Sequence, residues 1–111
     1  MFRMLIRTIL KKSAHIDEIH EADDGIGALE LLDDHRFDLV ITDLNMPRMG
    51  GLDLIDHIRQ HPRNRFAKIC VISGDDANRE RRQARQRGAN AFVIKPIDRQ
   101  QLLDTVNGLL Q

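Results

Sequence analysis

The sequence has no Trp or Tyr, only four Phe, one Cys and three Pro, and its 17 basic residues are balanced by 17 acidic ones. Each shortage excludes something. With Cys70 as the only cysteine, no internal disulfide can form, and its place in an apolar run suits a small buried residue better than a reactive thiol. A formal net charge of zero removes any global attraction to nucleic acid or to an anionic membrane surface. The apolar start, residues 1–12, is interrupted by Arg3 and Arg7, and no small-residue cleavage site follows. Neither a signal peptide nor a membrane span is expected, and a cytoplasmic location is. Repeats, low-complexity stretches and linkers are also missing.

What is present fits one domain spanning residues 1–111, with an ordinary globular balance of 41% apolar and 31% charged residues. Helical and strand signals alternate from end to end. Phe2, Leu5, Ile6, Ile9 and Leu10 share a helical face, ahead of Lys11 and Lys12. Ile16 to Ala22 alternates as a half-covered strand would. Asp23-Asp24-Gly25 then turns the chain into a helix with its stripe at Ile26, Leu29 and Leu32. Leu39-Val40-Ile41, within Asp38 to Asp43, predicts a strand covered on both faces. A Pro- and Gly-rich loop from Asn45 to Gly51 leads to a helix carrying Leu54, Ile55 and Ile58. Ile69 to Ile72 predicts another buried strand. An Arg-rich helix from Asn78 to Arg87 should end at Gly88. Ala91 to Ile94 predicts the last strand, and Leu102, Leu103, Val106, Leu109 and Leu110 the face of the last helix.

Strands alternating with helices imply βα units, a parallel sheet and a doubly wound α/β fold. In such sheets function gathers beyond the carboxyl ends of the strands. Asp43, Ser73 and Lys95 each directly follow an apolar run, so a carboxylate, a hydroxyl and an ammonium should meet at one edge. A carboxylate can accept a phosphoryl group as a nucleophile, and a hydroxyl and an ammonium can stabilise its oxygens.

Three stretches then carry a family resemblance: FDLVITDLNMPRMGGLDLIDHIR around Asp43, VISG around Ser73, and GANAFVIKP around Lys95. In this order and spacing they resemble the receiver domain of two-component response regulators, of the chemotaxis-regulator kind. The resemblance implies a flavodoxin-like sheet of order 2-1-3-4-5 and a phosphorelay module that takes a phosphoryl group from a sensor histidine kinase or phosphotransfer protein. It makes Asp43 the phospho-acceptor, and Ser73, Gly74 and Lys95 the phosphate-binding residues. Ser73 and Phe92 become the switch pair, and the Lys95–Pro96 peptide is expected to be cis. Output is expected through a downstream protein partner that contacts the last helices.

The sequence departs from that family in one important way. Members open with an apolar strand ending in two acidic residues that hold magnesium with the phospho-acceptor. Here helical pattern begins at once, and the first acidic residue is Asp17. The chain thus reads as N-terminally short relative to the family. Mg2+ would be left with Asp43 and the backbone carbonyl of Asn45, so weak binding is expected. Asp23 and Asp24 stand at a turn rather than at the expected metal position. The gap left in the sheet should close by direct pairing of Ile16–Ala22 with Asp38–Asp43, or fill through self-association.

Two other functions fit parts of the pattern. A phosphorylation-independent binding module fits the lost acidic pair. A haloacid-dehalogenase-like phosphatase would also use a strand-end Asp, but needs a second Asp two residues on, where this chain has Asn45. The chain is therefore expected not to be an enzyme. Arg79, Arg81, Arg82, Arg85 and Arg87 point to several sides of one helix and read as a solvated face. No aromatics interleave with them, so nucleic acid is not an expected partner. His15, His20, His35, His57 and His61 are assigned to the surface, and Met46 and Met49 to loop packing.

Overall fold

The computed structural model describes residues 7–16, 18–44, 49–74 and 78–111. Residues 7–10 form a helical stretch that breaks at Lys11. Helix α1, Gly25–Asp34, begins at Asp24, whose carboxylate accepts the Gly27 amide at 2.8 Å. That is the N-cap role for which a short acidic side chain is suited. Strand β1 (Leu39–Asp43), helix α2 (Gly51–Gln60), strand β2 (Lys68–Ser73), helix α3 (Asn78–Arg87), strand β3 (Ala91–Ile94) and helix α4 (Arg99–Leu110) follow. These bounds lie within a residue or two of the expected ones. Gly88 ends α3 with φ of 123°, a conformation that costs glycine little.

The three strands run parallel in the order β1-β2-β3, with Ile41 opposite Cys70 and Val71 opposite Phe92. Period-two alternation divides their side chains between two cores. Ile69 and Val71, with Val40 and Phe92, pack against Leu32 of α1, Leu54, Ile55 and Ile58 of α2 and Ala84 of α3. Cys70, Ile72 and Val93, with Leu39 and Ile41, pack against Ile9 and Leu10 and against Leu102 and Val106 of α4. Helices thus cover both faces of a parallel sheet, the doubly wound arrangement expected.

One expected element is not there. Ile16 to Ala22 is irregular chain wherever it is described, and it does not pair with β1. A strand exists only through ladder bonds to a neighbour. In the order 2-1-3-4-5 the sole neighbour of this segment would be a strand between it and β1, and among the described residues none lies there. Direct pairing does not close the gap either. The segment instead faces β1 across a cleft of about 460 Å3, lined by Leu10, Ile16, Ile19, Phe37, Leu39 and Ile41 among others. It is tied down by the Arg7–Glu21 ion pair and by the His20 ring, 4.5 Å from that of His35 and 5.6 Å from that of Phe37. A hydrogen bond from Ser13 to Asn107 fixes the preceding turn to α4.

Candidate functional site

Parallel pairing brings the carboxyl ends of β1, β2 and β3 to one edge, and the three polar residues come with them. Asp43 closes β1 in register with Ile72, one residue before Ser73. Lys95 immediately follows β3, and its amide donates to the Ser73 carbonyl at 2.8 Å, clamping the two strand ends together. The Lys95 ammonium then reaches across the end of the middle strand to Asp43 Oδ2 at 2.6 Å. Ser73 is 1% exposed, so its hydroxyl is held in a site largely shielded from water. Asp43 and Lys95 are only half-buried, which leaves this ion pair accessible to an incoming group.

Glycine shapes the floor of the site. A Cβ at Gly51 would lie 2.4 Å from the Asp43 carbonyl oxygen and 2.8 Å from Leu44 Cα. Only glycine allows α2 to start this close to the end of β1, with the Gly51 amide donating to the Leu44 carbonyl at 2.9 Å. Asn45, Met46 and Pro47 lie outside the described residues. Met49 is half-buried and packs on the core, as expected of loop packing.

Gly74 follows Ser73 and is half-buried. The Lys95–Pro96 peptide bond is cis. Phe92 sits on the α2–α3 face of the sheet, half-buried, with the Arg85 guanidinium 4.9 Å from its ring centroid.

The arginines of α3 do not form a uniformly solvated face, as the sequence suggested. Arg87 pairs with Asp56 of α2 at 3.1 Å, Arg85 covers Phe92, and Arg81 turns toward the site. Its Nη1 donates to the Gly74 carbonyl at 2.6 Å and to the Ser73 hydroxyl oxygen at 3.3 Å. Five arginines within nine residues gave no sequence signal for singling out Arg81. Its role depends on where α3 lies over the sheet. The surface assignment fails for His61, which is half-buried with Nε2 3.1 Å from Asp33 Oδ1.

Of the two magnesium ligands expected, only Asp43 lies among the described residues. That ion takes oxygen ligands in near-octahedral geometry, yet among the described residues no three His, Cys, Asp or Glu side chains gather to hold a metal. Asp43 is engaged by Lys95, and Asp24 caps α1 and is buried.

A doubly wound α/β module of this kind, here with a carboxylate, a hydroxyl and an ammonium at adjoining strand ends, belongs to the flavodoxin-like class of folds. The sequence comparisons are more specific. The response regulator receiver domain model matches residues 1–107. The chemotaxis protein CheY of Pseudomonas aeruginosa is 30% identical over 109 residues, 98% of this chain and 87% of its own length. CheY-3 of Vibrio cholerae is 33% identical over 95 residues, 86% of this chain and 72% of its own. Among solved structures, the receiver domain of NtrX from Brucella abortus superposes with a TM-score of 0.85 at 30% identity, covering 98% of this chain and 89% of that one. The chemotaxis protein CheY4 of V. cholerae gives 0.87 at 26% identity, covering 97% and 88%. This chain belongs to the response regulator receiver domain family of two-component signal transduction. That family consists of regulatory phospho-acceptor domains rather than enzymes, and it generally binds magnesium in an acidic pocket.

Proposed function

We propose that this chain is a phosphorylation-controlled switch, accepting a phosphoryl group from the phosphohistidine of a sensor kinase onto Asp43. The observation that carries the reading is the 2.6 Å contact between Lys95 Nζ and Asp43 Oδ2, across a strand end bearing the buried Ser73 hydroxyl. In the transfer, an Asp43 carboxylate oxygen attacks phosphorus and the P–N bond to the donor imidazole breaks. The electron pair leaves on the ring nitrogen. Lys95 moves from the carboxylate to the phosphoryl oxygens, where an ammonium meets more negative charge. Ser73 donates to a second phosphoryl oxygen, and Gly74 leaves space for the donor.

Ser73 and Phe92 form the proposed switch. Withdrawing the hydroxyl toward the phosphate frees volume that the Phe92 ring fills, which changes the surface between α3 and α4. A downstream protein partner would read that surface in the cytoplasm. No helix among the described residues is long and apolar enough to cross a membrane.

A second reading, a binding module that works without phosphorylation, draws on the failure of the described side chains to assemble a metal site. One experiment separates the two. The chain is treated with phosphoramidate, digested and mapped by mass spectrometry. The phosphoryl group is expected on the peptide containing Asp43 and is expected to be lost in Asp43→Asn. Modification elsewhere that survives that substitution would sink the switch reading.

A further inference from the structure

Arg81 is a cation at the carboxyl edge that the transfer described above does not use. It stands in the first half of α3 and is half-buried, whereas Arg79, Arg82, Arg85 and Arg87 on the same helix are exposed. One guanidinium nitrogen donates to both the Gly74 carbonyl, at 2.6 Å, and the Ser73 hydroxyl oxygen, at 3.3 Å. The other donates to the Asn78 side chain. The planar fork is thus held in place from two sides.

The direction of the bond to Ser73 has a chemical consequence. A hydroxyl has one proton and two lone pairs. With Arg81 donating into a lone pair, the Ser73 proton points elsewhere and stays available to an acceptor. Ser73 is 1% exposed, so few acceptors can reach it. The strand ends on either side of it carry Asp43 and Lys95. A phosphoryl group on Asp43 would bring its oxygens to this edge.

We infer that Arg81 is a positioning residue of the phosphoryl site. It presents the Ser73 hydroxyl as a donor to a phosphoryl oxygen. This rests on Asp43 being the acceptor. The ligand class is a covalently held phosphoryl group, an acyl phosphate (a mixed carboxylic–phosphoric anhydride).

The test uses phosphoramidate, whose protonated nitrogen leaves as ammonia when its P–N bond breaks and the new O–P bond forms on Asp43. Rates of phosphoryl addition to the full chain are followed by intact mass, with magnesium present throughout. Arg81→Gln is expected to slow addition about tenfold or more, by analogy with loss of a preorganised donor. Ser73→Ala should slow it comparably, and the double variant should be no slower than the slower single one, because both act through one hydroxyl. Methylguanidinium added to Arg81→Ala should restore part of the rate, which a purely structural role would not permit. Circular dichroism checks folding. If Arg81→Gln is unfolded, Arg81→Lys carries the test with a smaller loss in the same direction, since an ammonium lacks the fork.

A wild-type rate in the folded Arg81 variants, while Asp43→Asn takes up nothing, overturns the role of Arg81 and leaves the acceptor reading intact. Multiplying losses in the double variant overturn it too. A wild-type chain that takes up no phosphoryl group overturns both.

Discussion

Cys70 shows how burial alone decides the behaviour of a residue. It is fully buried between Ile69 and Val71 in the middle strand, and burial pushes its thiol from 9.0 up to about 11. The native state therefore keeps this proton to higher pH than the unfolded chain does. The associated stability is fully present below pH 9 and is lost as pH rises from there through about 11. At about 1.4 kcal/mol per pH unit, the loss attributable to this group is about 2–3 kcal/mol. Urea unfolding at pH 8 and pH 11 should show that extra loss in the wild type and not in Cys70→Ala. Identical pH slopes in the two proteins would show that the thiol titrates no differently in the native state. The same residue scale explains what was legible around the site. Asp43, Ser73 and Lys95 each end an apolar run, a signal local in sequence. Arg81 carries no such mark, because its contacts with Ser73 and Gly74 arise from the placement of a whole helix.

Among the elements, α2 is joined to both neighbouring strands through one side chain. Arg59 donates to the carbonyls of Arg65 and Ala67 ahead of β2, at 2.8 and 2.7 Å, and to the Gly88 carbonyl ahead of β3, at 2.7 Å. It also donates to Asn90 Oδ1 at 2.9 Å, the same oxygen that accepts the Ile69 amide at 2.7 Å. Partial burial pulls the guanidinium below its ordinary value, the mark of a desolvated charge. Removing it leaves several loop carbonyls without their donor. Arg59→Met is expected to destabilise the fold by about 2–4 kcal/mol. Arg59→Lys should recover little, because an ammonium cannot span carbonyls from two loops. Equilibrium denaturation decides this, and a methionine variant within about 0.5 kcal/mol of wild type would show the network to be dispensable. The helix itself was legible, since Leu54, Ile55 and Ile58 recur at helical spacing. Its tie to the loops at Gly88 and Asn90 was not, because the partners lie about thirty residues away.

For the whole molecule, the decisive feature is the edge of the sheet beside the cleft. Among the described residues, the outer side of β1 faces irregular chain at 16 and 18–22 instead of a neighbouring strand, with Leu39 and Ile41 only half-buried. A parallel edge strand bonded on one side has amides that open to solvent more readily than those of a central strand. Such an edge is also a template for another chain. In hydrogen exchange at micromolar concentration, the Leu39–Asp43 amides are expected to exchange roughly tenfold or more faster than those of Lys68–Ser73. Sedimentation should show self-association as concentration rises, and the β1 amides should gain protection along with it. A monomer at all concentrations, with β1 as protected as β2, would mean that the edge is already satisfied.

Local pattern in the sequence was enough to determine three strands, the helices between them, the doubly wound order and the meeting of Asp43, Ser73 and Lys95. Each of these follows from the period of apolar residues and from what stands at the end of a run, information held within about ten residues. Only the tertiary structure decided that Ile16 to Ala22 remains irregular, that Asp24 serves as a cap, and that Arg81 rather than a neighbouring arginine enters the site. A strand needs a partner, a carboxylate goes to the nearest unmet donor, and a long side chain takes the contacts that its helix is placed to reach. None of these is a property of the segment itself.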